Sequence, residues 1–200
     1  PYPLRDGAAI RTFQSVCILA ELGYKVDVLY LSEENDVLEV RRGLDAYCHE
    51  VNCVVLPKWK SYLKVMWGLL TNRLPLQVNY FLSGRARRWI LKHQDRYEMV
   101  YCNNIRTALW VKGLKAEKII DYVDAYSMNY QSARDNSRGI WHWIYTLDYP
   151  RCNKFEQKIL HAFDKRLIIS HTDKEYILSH AKEAAPISVI ENFTHIDDTK

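Results

Sequence analysis

Six short runs of β-branched and aliphatic residues, bounded by polar positions, punctuate the chain at 25–31, 51–56, 99–102, 118–121, 166–170 and 187–190. Runs of this length and composition read as buried strands rather than helices. Helical patterns fall between them. Ile10, Phe13, Val16, Cys17 and Ala20 share one face before Gly23 stops the turn, and Thr172 with Glu175 forms a capping box that opens a helix to about Ala181. Parallel neighbours need long crossovers, and helices supply them, so the alternation predicts an α/β fold. The expected architecture is a doubly wound, mainly parallel, Rossmann-like sheet with helices on both faces.

In such a sheet ligands bind beyond the carboxyl ends of the strands. The residues to inspect are therefore Ser32, Glu33, Pro57, Asn103, Asn104, the stretch 121–124 and the stretch 170–172. The region 58–92 breaks the alternation. Trp59, Tyr62, Leu63, Met66, Trp67 and Leu70 recur at helical spacing beside Lys58, Lys60 and Lys64, and a second helical stretch sets Arg85, Arg87, Arg88 and Lys92 around Trp89. This is a basic amphipathic insertion. Its apolar face is expected to cover a sheet edge, and its charges make an anionic membrane surface a candidate partner.

Composition narrows the picture. The chain has 200 residues, 48% of them hydrophobic and 26% charged, which fits one compact domain. A net charge of +4 selects no partner by itself. Five cysteines without a CxxC pair argue against a disulfide framework or zinc ribbon and favour a reducing cytoplasm. The histidines lack metal-ligand spacing, so no metal site is predicted. Neither a dinucleotide fingerprint nor a P-loop occurs. Nucleic-acid binding is disfavoured, because the basic residues of 58–92 are interleaved with apolar ones.

Three places carry candidate chemistry. The turn Asp6-Gly7-Ala8-Ala9 opens a helix whose backbone N–H groups could face an anion, or Asp6 could simply cap it. Asp121 and Asp124 straddle the end of a strand, where a carboxylate can orient a hydroxyl or act as a base; helix capping and a structural ion pair are the alternatives. The aromatic cluster of Trp141, Trp143 and Tyr145, with Tyr126, Tyr130 and Tyr149, lines a groove or belongs to the core.

Five stretches, taken in order, resemble a known family. They are Pro1-Tyr-Pro-Leu-Arg-Asp-Gly-Ala-Ala-Ile-Arg-Thr-Phe13, Leu19-Ala-Glu-Leu-Gly-Tyr-Lys-Val-Asp-Val-Leu29, Asp121-Tyr-Val-Asp-Ala-Tyr-Ser127, Leu167-Ile-Ile-Ser170 and Val189-Ile-Glu-Asn-Phe193. Together they are similar to the N-terminal domain of GT-B glycosyltransferases of family 4, nearest to bacterial sugar transferases of polysaccharide assembly. The resemblance implies an acceptor-side domain over 1–191 and a linker beginning at 192–200. It also implies a first strand upstream of Pro1 and a second domain beyond Lys200.

The implied activity is transfer of a sugar from a nucleotide-sugar co-substrate to a lipid-linked or glycan acceptor, with retention, in cell-surface polysaccharide synthesis. No cofactor or metal is implied for this domain, and alone it would be inactive. Asp124 corresponds to the catalytic position, with Asp121 as the alternative. Asp6, Gly7 and Arg11 would face donor or acceptor, joined by the strand-end residues Asn103 and Ser170. The expected location is cytoplasmic, peripheral on the inner face of the membrane. The rival expectation is a non-catalytic, flavodoxin-like binding or scaffold module.

Overall fold

A computed structural model describes residues 7–33 and 36–192. Helix α1 (Gly7–Glu21) leads to β1 (Asp27–Ser32), α2 (Val37–Leu44) and β2 (Glu50–Val55). Three helices follow, α3 (Lys58–Thr71), α4 (Leu76–Phe81) and α5 (Gly84–His93). The chain then runs through β3 (Met99–Asn103), a 3-10 turn (Ile105–Trp110), β4 (Glu117–Asp121), α6 (Tyr126–Asn136), α7 (Ile140–Leu160), β5 (Lys165–Ile168), α8 (His171–Ser179) and β6 (Ser188–Val189). All six strands lie within about two residues of the runs read from the β-branched pattern. The class is α/β, and every strand pair is parallel.

The strands form two groups, β1-β2 and β3-β4-β5-β6. Their side chains alternate in phase across the seam between β1 and β3. Val28 and Tyr30 of β1 pack with Phe13 of α1 and with Val16, Val40 and Leu44, whereas Leu29 and Leu31 join the larger core with Val100 and Cys102 of β3. Helix α1 covers the seam on its own face, since Ser15 shares a hydrogen bond with the Tyr101 hydroxyl (3.2 Å) and Thr12 accepts one from Asn103 (2.6 Å). At the amino ends of the strands the Tyr97 hydroxyl crosses the seam to donate to Asp27 (2.8 Å). The two groups are thus halves of one layer, and among the described residues the facing edges of β1 and β3 have no strand partner.

The insertion folds as predicted into helices, but α3 packs the other way round. Its buried residues are Ser61 and Gly68, while Trp59, Tyr62, Leu63, Met66, Trp67 and Leu70 are all exposed. Close approach explains the inversion: a Cβ on Gly68 would lie 2.5 Å from the Asn79 side chain of α4. Asn79 is itself buried and bonded to Asn72 and to the Leu74 carbonyl. The expectation that the aromatic face covers a sheet edge is therefore corrected. The aromatic cluster also divides, with Tyr126 and Tyr130 in the core and Trp141 and Trp143 exposed at the start of α7.

A second correction concerns α8, which is capped by Ser170 rather than by Thr172. The Ser170 side chain accepts from the Asp173 backbone N–H (3.1 Å) and donates to the Asp173 carboxylate. Thr172 lies inside the first turn.

Helices α6 and α7 form an antiparallel pair closed by a buried polar contact. Glu156, fully buried in α7, accepts from the Ser127 backbone N–H (3.2 Å) and from the Ser127 hydroxyl. Burial pushes the Glu156 pKa up to about 7, against the opposing pull of the Ser127 bonds. The folded state therefore holds this proton more tightly than the unfolded chain does. The resulting stabilisation is complete below the ordinary glutamate range and declines as pH rises through about 7, by about 3 kcal/mol in all. Glu156→Gln keeps an acceptor for the Ser127 N–H and offers a donor to its hydroxyl. Urea titrations should show the variant close to wild type at pH 4 and more stable at pH 8, with the slope of stability against pH between them reduced.

Candidate functional site

The carboxyl ends of β3, β4 and β5 bring together most of the residues expected to carry chemistry. Arg11, in the second turn of α1, is buried at 5% exposure. Its Nε donates to Asp121 (2.6 Å), and its Nη1 donates to the Ile190 carbonyl and the Asn192 side chain (2.9 Å each). Asp121 ends β4 with no exposed surface and also accepts from the Tyr101 hydroxyl (2.6 Å) and the Val123 N–H (3.1 Å). Both side chains are thus engaged inside the fold. Arg11 positions α1 rather than reaching for a ligand, and Asp121 is sealed from any acceptor.

Asp124 stands apart from that pair. It is half-buried, and among the described residues its carboxylate accepts no hydrogen bond. Burial pushes its pKa up from the ordinary carboxylate range and the nearby Asp173 adds to the rise, while Arg11 opposes it. The backbone that presents it is strained, because Val123 has φ of 64°. A β-branched residue in the left-handed region costs about 1–3 kcal/mol and persists only where its surroundings hold it. Here the Val123 N–H donates to Asp121, its carbonyl accepts from Ile169 (3.3 Å), and the Asp124 N–H donates to the Tyr122 carbonyl (2.8 Å).

A second residue of positive φ, Asn104 at 74°, follows the neighbouring strand β3. Its amide donates to the Tyr126 hydroxyl (2.6 Å), and its side-chain oxygen accepts from the Arg106 N–H (3.1 Å). Arg106 lies over the rings of Phe81 and Tyr126 (5.1 and 5.3 Å) and donates to Gln77 (2.8 Å). Asn104 was marked from the sequence only as a strand-end residue and Tyr126 only as part of the aromatic cluster, while Arg106 and Asp173 were not singled out. The Asn-Asn pair after a strand was the one available signal, since asparagine tolerates positive φ.

The remaining candidates fall as follows. Gly7 begins α1, exposed, and among the described residues nothing lies within 4 Å of where its Cβ would be. Asn103 is tied to Thr12 and Ser170 caps α8. Asp6 lies outside the described residues. Two shallow concavities, of about 400 and 460 Å³, lie elsewhere: one near Tyr97 and Lys115 at the amino end of β3 and β4, the other between α6 and α7 near Trp141. Among the described residues no group of three or more His, Cys, Asp or Glu side chains could hold a metal ion, and no helix is long and apolar enough to cross a membrane. All five cysteines are thiols.

The chain matches no protein-family model, no curated protein and no solved structure.

The two aspartates should separate by stability. Asp121→Asn leaves the buried Arg11 charge without its counter-ion and should lower unfolding free energy by about 3–5 kcal/mol. Asp124→Asn removes a partly desolvated charge and should leave stability unchanged or raise it. Thermal unfolding of both variants checks this, and equal losses would remove the distinction.

Proposed function

We propose that this chain is the acceptor-side lobe of a GT-B glycosyltransferase, which transfers a sugar from a nucleotide-sugar donor to a hydroxyl of a lipid-linked or glycan acceptor. The observation that carries the reading is Asp124: a half-buried carboxylate of raised proton affinity, held beyond the end of a central parallel strand by a strained neighbour. Strain of this kind clusters where geometry serves chemistry. In the reaction the acceptor oxygen bonds to the anomeric carbon as the bond from that carbon to the nucleotide phosphate breaks. The electron pair leaves with the phosphate and the hydroxyl proton passes to Asp124. A base whose pKa lies above the ordinary carboxylate range suits that proton better than a free aspartate. The resemblance adds retention of configuration, a cytoplasmic location and a second lobe that contributes most donor contacts.

Arg11 and Asp121 enter as positioning residues in this reading, because their polar atoms are engaged with one another and with the chain after β6. Among the described residues nothing crowds Gly7 at the amino end of α1, which fits close approach by a ligand there. In the protein that joins this chain to its second lobe, Asp124→Asn should lower kcat by about 100-fold or more with donor KM little changed. The acid limb of the rate should lie above the range of an ordinary aspartate. Release of nucleoside diphosphate from a panel of nucleotide sugars measures both. Unaltered turnover in Asp124→Asn would sink the assignment, and no turnover with any donor would favour a binding module.

The same reading places a first strand in the seam between β1 and β3. Parallel crossovers are right-handed in nearly all proteins, so a strand feeding α1 would return beside β1. It would satisfy the facing backbone edges, which otherwise lack strand partners among the described residues. Lengthening the chain at its start by roughly ten natural residues should raise the unfolding midpoint and slow amide exchange in β1 and β3. Unchanged exchange in both strands would refute the placement.

A further inference from the structure

The inverted packing of α3 leaves a face that neither the sheet nor the transfer reading uses. Leu70 is 84% exposed, Trp67 69%, Trp59 62% and Met66 61%. Burying apolar side chains is favourable, so leaving a whole helical stripe of them in water is unfavourable. Single exposed apolar residues are ordinary, whereas a contiguous stripe marks a contact surface.

The stripe continues onto α7. Arg151 of α7 donates to the Leu69 carbonyl in the last turn of α3 (3.5 Å). Leu147 and Trp143 lie one and two turns before Arg151 on the same helical face, and both are exposed, with Trp143 at 72%. Ile140 and Trp141, at the first turn of α7, are exposed as well. A ridge of tryptophan and aliphatic side chains therefore runs along α3 and on to the start of α7.

Charge identifies what covers it. Positions 58–93 carry eight lysine and arginine residues and no aspartate or glutamate. Set those eight aside and the chain's net charge of +4 becomes −4. The cationic character of the molecule is thus concentrated in the insertion. Lys60 lies over the Trp59 ring (5.2 Å), Arg73 follows α3, and Arg138 precedes α7, all three exposed.

We propose that this ridge docks on an anionic lipid bilayer, with α3 in the plane of the headgroups, its apolar stripe and the first turns of α7 inserted, and the flanking cations at the phosphates. Tryptophan and aliphatic residues on one helical face, with lysine and arginine beside them, suit an interface that is apolar on one side and anionic on the other. A protein partner fits less well, since lysine is depleted from protein interfaces. A nucleic acid would stack on the rings but leave Leu63, Met66 and Leu70 in water. The proposal is independent of the transfer reading, because lipid binding requires no turnover and either can fail alone.

Flotation with phosphatidylcholine vesicles, with and without phosphatidylglycerol, tests it. The protein should float with the anionic vesicles, its tryptophan emission should shift to the blue, and both effects should fall with added salt. Trp67→Ser with Leu70→Ser should weaken binding about tenfold or more, as should Lys60→Glu with Arg73→Glu. All four residues are exposed, so the unfolding midpoints should match wild type. Binding indifferent to lipid charge, or unaffected by the Trp67 and Leu70 substitutions, would overturn the proposal. So would a dimer that those substitutions dissolve without any lipid binding, or salt-sensitive binding to RNA in place of vesicles.

Discussion

The buried contact between Arg11 and Asp121 is the constraint from which the rest of the carboxyl edge follows. One guanidinium joins four parts of the chain: α1 that carries it, the end of β4 through Asp121, and the segment after β6 through Ile190 and Asn192, with β3 drawn in by the Tyr101 hydroxyl on the same carboxylate oxygen. A buried ion pair adds little stability over an apolar substitute, yet losing one partner is severe because the other is stranded. Here the geometry is what the pair supplies. The second oxygen of Asp121 accepts the Val123 N–H, which holds that residue at positive φ, and Asp124 is presented as a consequence. The sealed aspartate and the accessible one are thus coupled members of one turn, the first fixing where the second lies.

That division of labour was partly legible in the residues. Strands announced themselves because β-branched runs between polar stops have few other uses, and the position of Asp124 further into the loop already distinguished it from Asp121. The burial of Asp121 was not legible, since its partner Arg11 lies 110 positions away and no local pattern links them. Asn104 was marked at a strand end without a role and Arg106 escaped notice for the same reason: their roles arise from contacts with Tyr126, Gln77 and Phe81 brought in by other elements. Ser170 was placed correctly at a strand end, although its cap, three residues from Asp173, was assigned to Thr172 instead.

The inversion of α3 shows a more general limit. Periodicity reports that a helix has an apolar face, and the ordinary inference buries that face. In α3 a second, weaker periodicity of small residues, Ser61 and Gly68 seven positions apart, sets the packing because it permits an approach to α4 that a Cβ would block. Two faces compete for burial, and the decision depends on α4, whose Asn79 fills the space left by Gly68. The same reasoning covers the start of α7, where tryptophans that could have been core extend past the elements able to bury them.

The insertion is nevertheless tied to the carboxyl edge of the sheet. Glu33, just beyond β1, accepts from Tyr80 of α4 (2.8 Å) and pairs with Lys58 at the first residue of α3 (2.9 Å). From the same helix, Phe81 and Gln77 hold Arg106, whose guanidinium also covers the Tyr126 ring at the start of α6, two residues after Asp124. Contiguous packing of this kind is the physical route by which a displacement of one element reaches another. Helix α4 is therefore the bar between two surfaces of different chemistry, the apolar ridge with its cations on one side and the strained aspartate loop on the other. If both proposals hold, an acceptor drawn from a bilayer would meet the ridge and the carboxylate on surfaces joined through α4 and Arg106.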